Sequence, residues 1–169
     1  MATEKTTIFS PELAARFDRL VTLYPVKRSA LVPMLLYAQD EVGYLSPEVV
    51  AEIADRIGIK TNDVESVLSY YSMLRTKPVG KYNVQVCTNI SCMLRNGYGI
   101  LEHCKKRLGI GHKQTTPDGL FSLEEVECIG ACCWAPAVQI NYDFYENLTP
   151  EKMDQILEDY KAGRGKETV

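Results

Sequence analysis

Four of the chain's six cysteines stand in two close pairs, and any fold for this chain has to satisfy that spacing. Cys87 and Cys92 enclose four residues in Cys-Thr-Asn-Ile-Ser-Cys, and Cys128 and Cys132 enclose three in Cys-Ile-Gly-Ala-Cys. Thirty-five residues separate the two pairs. Within a pair both sulfurs can face one small inorganic object, so the fold must bring two loops to a common point. Neither pair has the Cys-x-x-Cys spacing usual for structural zinc or for thiol–disulfide exchange. Iron–sulfur clusters need convergent thiolates, and looser loops suit them. The spacing therefore points to one four-cysteine Fe–S cluster on Cys87, Cys92, Cys128 and Cys132, in an electron carrier rather than in a catalyst acting alone. Gly130 suits a loop whose backbone N–H groups approach sulfur. Asn89 and Ser91 either add hydrogen bonds around the first pair or are ordinary turn residues.

The two remaining cysteines read differently. Cys133 adjoins Cys132, and neighbouring residues rarely ligate one small cluster, so it reads as a packed or half-buried thiol. Cys104 falls with Leu94, Leu101 and Leu108 on one helical stripe and reads as a small core residue. Neither His103 nor His112 has a partner at metal-ligand spacing, which argues against a Rieske-type site. Gly97-x-Gly99 is reminiscent of a dinucleotide fingerprint, but Glu102 stands where the third Gly belongs, and the segment reads as lying inside a helix. No nucleotide site is expected. Trp134 either shields the cluster, meets a partner or packs in the core.

At 169 residues, 46% of them hydrophobic, the chain can bury a real core as one domain with a helical extension. A net charge of −3 gives no reason to expect nucleic acid or an anionic membrane as partner. No apolar run approaches the ~20 residues of a spanning helix. The N-terminus lacks the marks of a signal or transit peptide. A cytoplasmic location follows as the expectation, where six cysteines serve as ligands or free thiols rather than as disulfides.

The first seventy or so residues read as helices. Ser10-Pro11-Glu12 and Ser46-Pro47-Glu48 each combine an N-cap, a Pro at the first helical position and an acidic first turn. A second helical stretch covers residues 29–42 and stops near Gly43. The helix begun at Ser46 stops at Gly58. Asn62 with Glu65 looks like a capping box opening a fourth helix through Tyr71. After a break at Lys77-Pro78-Val79-Gly80 the period changes. Residues 81–87 read as a strand, 92–108 as a helix, 116–119 as a turn and 120–126 as a second strand. Residues 137–141 and 144–146 suggest a hairpin, and Thr149-Pro150-Glu151 opens a last helix. The tail from Gly163 is polar and expected to fray. If the strands ending near Cys87 and Cys128 are neighbours of suitable polarity, both cysteine loops open together.

With those residues in view, the sequence resembles the family of thioredoxin-like [2Fe-2S] subunits of respiratory NADH:quinone oxidoreductase (complex I). Val-Gly-Lys-Tyr-Asn-Val-Gln-Val-Cys-Thr, Ser-Cys-Met-Leu-Arg, Thr-Thr-Pro-Asp-Gly-Leu-Phe-Ser-Leu, Val-Glu-Cys-Ile-Gly-Ala-Cys and Ala-Pro-Ala-Val-Gln-Ile-Asn carry the likeness, with Tyr-Leu-Ser-Pro and Tyr-Tyr-Ser-Met in the first half. The resemblance implies an α/β fold: an N-terminal helical bundle (1–77), a C-terminal thioredoxin-like [2Fe-2S] ferredoxin domain (78–162) and a polar tail (163–169). It implies one [2Fe-2S] cluster on Cys87, Cys92, Cys128 and Cys132. It also implies a heterodimer with a flavoprotein subunit that alone carries FMN and binds NADH, within a complex peripheral to the inner membrane and without membrane insertion of this chain. Cys133 and Trp134 receive no role from it. Related subunits serve NAD-linked hydrogenases and formate dehydrogenases, which stay open as assemblies. A structural zinc module acting as an assembly adaptor is the rival from another class. A thioredoxin-type thiol–disulfide enzyme is a second rival, and it lacks the Cys-x-x-Cys such enzymes need.

Overall fold

The computed structural model describes residues 8–165; the readings of the extreme N-terminus and of the last four residues lie outside them. The chain divides into two compact units, Met1–Pro78 and Val79–Val169.

Unit one is helical: α1 (Pro11–Leu23), a 3-10 turn (Lys27–Ala30), α2 (Leu31–Val42), α3 (Pro47–Ile57) and α4 (Thr61–Tyr70). Ser10 and Ser46 cap α1 and α3, their hydroxyl oxygens accepting from the Leu13 and Val49 amides. Gly43 (φ +85°) and Gly58 (φ +79°) end α2 and α3 in conformations open to glycine. The apolar stripes meet in one core that includes Phe17, Met34, Leu35, Ile53 and Val64. Gln39, a buried polar residue, donates its amide to the Met73 carbonyl (3.0 Å) and accepts from the Arg75 amide (2.6 Å), fastening the chain beyond α4 to α2. Two expectations shift. The second helix opens through a 3-10 turn rather than at Ser29. The fourth is capped at Lys60 without a side-chain bond, so Asn62 and Glu65 lie inside it and do not form its cap.

Unit two lays helices on a five-stranded mixed sheet. Its elements are β1 (Tyr82–Cys87), α5 (Ile90–Leu94), α6 (Gly97–Leu108), β2 (Gln114–Thr115), β3 (Phe121–Val126), a 3-10 turn (Cys132–Trp134), β4 (Val138–Ile140), β5 (Asp143–Tyr145) and α7 (Pro150–Lys161). The sheet order is β2-β3-β1-β4-β5, with β1 and β3 parallel and the other pairs antiparallel. Residues alternate between faces. Val84, Val86, Phe121, Leu123, Val138 and Ile140 share a core with Ile100 and Leu101 of α6 and Met153 and Leu157 of α7. Asn83, Gln85, Ser122 and Glu124 line the opposite face, where the Glu124 carboxylate accepts from Gln85 (2.9 Å) and Asn83 (3.4 Å). The helix expected over 92–108 is two helices, because Asn96 (φ +71°) breaks it. Leu94 therefore leaves the stripe assigned to it and is exposed, whereas Cys104 and Leu101 are buried as expected.

Candidate metal centre

Parallel pairing places the carboxyl ends of β1 and β3 side by side, with Cys87 opposite Val126. Both cysteine loops consequently leave the sheet at the same end. Open α/β sheets bind ligands in the crevice beyond the carboxyl ends of parallel strands, and this one puts its sulfurs there. Cys87 closes β1 and its amide donates to the Ala137 carbonyl at 3.2 Å. Cys92 lies on α5, which Asn89 caps by accepting from the Ile90 amide. Cys128 follows β3, and Cys132 opens the 3-10 turn that packs against α5.

The four thiols form two contacting pairs. Cys92 is hydrogen-bonded to Cys87 and feels the charge of Cys132; Cys132 is hydrogen-bonded to Cys128 and feels the charge of Cys87. Burial, then the Cys87 bond, pushes the Cys92 thiol up to about 11. The Cys128 bond, then that neighbour's charge, raises Cys132, while the Ser91 hydroxyl works the other way. Cys87 donates its thiol to the Glu127 carbonyl at 3.6 Å, and the Gly130 amide donates to the Cys128 sulfur at 3.4 Å. Gly130 has φ +83°, and a Cβ there would meet open space, so its need is conformational rather than steric.

The pairs differ in exposure. Cys87 and Cys92 are buried with Ala131, Ala135 and Ala137, whereas Cys128, Cys132 and Cys133 are exposed. Among the described residues no group of three or more His, Cys, Asp or Glu is arranged to hold a metal ion. What the structure brings to one end of the sheet is two pairs of neighbouring thiols, with the Gly130 N–H donating to the Cys128 sulfur and the Ser91 hydroxyl acting to lower the Cys132 pKa. That donor set fits a cluster of two irons, each taking two soft thiolates.

Other residues singled out from sequence take definite places. Cys104 is buried in the unit-two core, away from the thiol pairs. Cys133 is exposed rather than packed, and Trp134 is 54% exposed, which removes the core-packing reading for it. Ile90, Met93 and Leu94 are further exposed apolar side chains of α5. His103 pairs with Asp154 at 2.9 Å, and His112 accepts from the Glu125 amide at 2.9 Å. Gly97 opens α6 rather than lying within it, and a Cβ there would stand 2.8 Å from the carbonyl oxygens of both Cys87 and Cys92. The glycine read as half of a nucleotide fingerprint is instead the close-packing point beneath the first cysteine pair. Its position just after a Cys-bearing helix was the available signal.

A family model described as thioredoxin-like [2Fe-2S] ferredoxin matches residues 17–161. The E subunit of NADH-quinone oxidoreductase from Mycobacterium bovis is 37% identical over 158 residues, covering 91% of this chain and 63% of that protein. The chain thus spans less than two thirds of the length of the first curated relatives it matches. The E subunit of NADH-quinone oxidoreductase from Rickettsia typhi is 42% identical over 146 residues, covering 85% of this chain and 86% of that protein. Among solved structures, a chain of an NAD+-reducing [NiFe]-hydrogenase in the air-oxidized state superposes with a TM-score of 0.70 at 20% identity, over 79% of this chain and 23% of that one. That last likeness is one of fold.

Proposed function

The chain belongs to the thioredoxin-like [2Fe-2S] ferredoxin family, and we propose that it is the electron-carrying E subunit of an NADH-quinone oxidoreductase, with one [2Fe-2S] cluster held by Cys87, Cys92, Cys128 and Cys132. The observation that supports this reading most is the parallel pairing of β1 and β3, which makes both cysteine loops leave the sheet at the same end. When bound, the cluster supplies a one-electron carrier, matched to a flavin that receives a hydride and passes its electrons on singly.

The chain's own residues hold, shield and connect. The β1–β3 ladder sets the gap between the two thiol pairs. The Gly130 N–H and the Ser91 hydroxyl donate toward the Cys128 and Cys132 sulfurs, which stabilises negative charge on thiolates. Buried Cys87 and Cys92 form the inner wall, with Ala131, Ala135 and Ala137 excluding water. Cys128 and Cys132 are exposed and would leave that side of a bound cluster open to a partner. FMN and NADH belong to a flavoprotein partner in this reading, and Gly97 is already committed to packing under the cysteine loops. The helical unit before Pro78 serves attachment within the assembly. Membrane association comes through that assembly: no described helix is long and apolar enough to cross a membrane.

The test is anaerobic purification of the full chain. Visible absorption with iron and acid-labile sulfide in equal amounts is expected. Both should be lost when any of Cys87, Cys92, Cys128 or Cys132 is changed to Ala, and kept in Cys104→Ala. A colourless protein carrying zinc would instead favour the assembly adaptor. NADH oxidation should appear only after the flavoprotein subunit is added; turnover by the chain alone would contradict the proposal.

A further inference from the structure

The β1–β3 ladder ends at the pair Cys87–Val126, yet the two segments stay joined one residue further. The Thr88 amide donates to the Val126 carbonyl at 3.1 Å, and the Thr88 hydroxyl donates to the Glu125 carboxylate at 3.0 Å. Thr88 is buried, so its hydroxyl depends on a protein acceptor rather than on water. Glu125 stands opposite Val86, and its amide donates to His112 Nδ1. Thr88 is the first residue of the loop that links Cys87 to Cys92. Fixing its side chain fixes how that loop leaves the sheet.

We propose that Glu125 is a positioning residue for the metal centre: through the Thr88 hydroxyl it pins the first cysteine loop to β3 and so sets the spacing between the two thiol pairs. It touches no sulfur and acts through Thr88. The inference rests on reading the four thiols as cluster ligands. It asks more than the fold needs, because the ladder already holds β1 to β3 up to Cys87. The hydroxyl requires only an acceptor oxygen, so glutamine should replace glutamate here and alanine should not.

The test uses the full chain, loaded anaerobically, as wild type and as Thr88→Val, Glu125→Ala, the double variant and Glu125→Gln. Thr88→Val and Glu125→Ala should each release iron to EDTA roughly tenfold faster than wild type, the cost expected of an outer-shell partner. The double variant should be no faster than either single one, because both remove the same bond. The g-values of the dithionite-reduced centre should shift in these three and stay in place in Glu125→Gln. Wild-type iron release in either single variant, multiplied effects in the double one, or failure of glutamine to rescue would overturn the proposal. Far-UV circular dichroism checks the fold, and if Glu125→Ala does not fold, Thr88→Val and Glu125→Gln still decide. Wild-type chain without iron would bring down the functional reading separately. Amide hydrogen exchange over residues 88–92 then settles the pinning: faster exchange in Thr88→Val supports it, and unchanged exchange refutes it.

Discussion

At Gly97 a single hydrogen separates α6 from the backbone of both inner cysteines. An added methyl would stand 2.8 Å from each carbonyl oxygen, and backbone cannot swing aside as a side-chain tip can. Gly97→Ala should therefore lower stability by about 1–3 kcal/mol, the usual cost of overpacking, and should also lower iron retention. Gly109→Ala makes the comparison: φ is +68° there with open space, so the strain of the left-handed conformation, about 1–2 kcal/mol, comes without iron loss. Urea denaturation and iron assays on both variants separate the two, and full iron in Gly97→Ala would refute the packing argument. Cys104 poses a different question at the same scale. Burial, helped by the negative charge of Asp154, pushes its thiol up to about 12. An unfolded cysteine ionises near about 8.5, so above that pH the native state keeps a proton that the unfolded chain releases. The stabilising contribution is whole below about pH 8.5 and is lost as pH rises toward 12, by up to about 1.4 kcal/mol per pH unit. Cys104→Ala should flatten the loss of stability between about pH 9 and 11 relative to wild type, while being less stable at neutral pH. Denaturation curves that fall in parallel would mean that this thiol does not govern the alkaline limb.

Three helices open with the same local device. Ser10, Ser46 and Thr149 each precede a Pro-Glu pair, and each side-chain oxygen accepts an amide three residues on, at 3.2, 3.4 and 3.3 Å. Ser46→Ala should cost about 1 kcal/mol and Ser46→Gly less, read as a shift in the urea midpoint; equal losses would assign the effect to something other than the cap. These starts were legible in the sequence because all their chemistry lies within four residues. The elements that escaped were set by distant partners or by phase. β2 is two residues long and exists through its pairing with Ser122 and Leu123, so it has no periodicity of its own. The break between α5 and α6 needs only Asn96 at positive φ, and apolar residues on either side hide it by continuing the helical spacing. Asn62 and Glu65 match a capping motif in letters, but α4 begins at Thr61 and carries them past the cap.

Across the whole molecule, the two cysteine pairs and most of the element order were legible because spacing and period are local properties. The neighbourhood and direction of β1 and β3 were not, since a parallel pair is joined through a crossover and decided by tertiary packing. The same limit applies to the division of the chain. The Lys77–Gly80 break was visible, but whether the helices before it serve the metal centre or a partner depends on how each half is built. The helical unit has a core drawn from its own residues, Phe9 through Leu74. The sheet unit has its own core, and Cys87 and Cys92 pack with Ala131, Ala135 and Ala137 from that same unit. Units with separate cores can fold separately. Deleting residues 1 to 76 should then leave a fragment that still takes up its cluster but no longer co-purifies with the flavoprotein subunit. Absorption of the fragment and a pull-down against the partner measure the two halves of that statement. A fragment that loses its cluster would make the helices part of one common core. A fragment that keeps full partner affinity would end the assembly role for the helices and move the search for the docking surface to the exposed apolar residues of α5 and to Trp134.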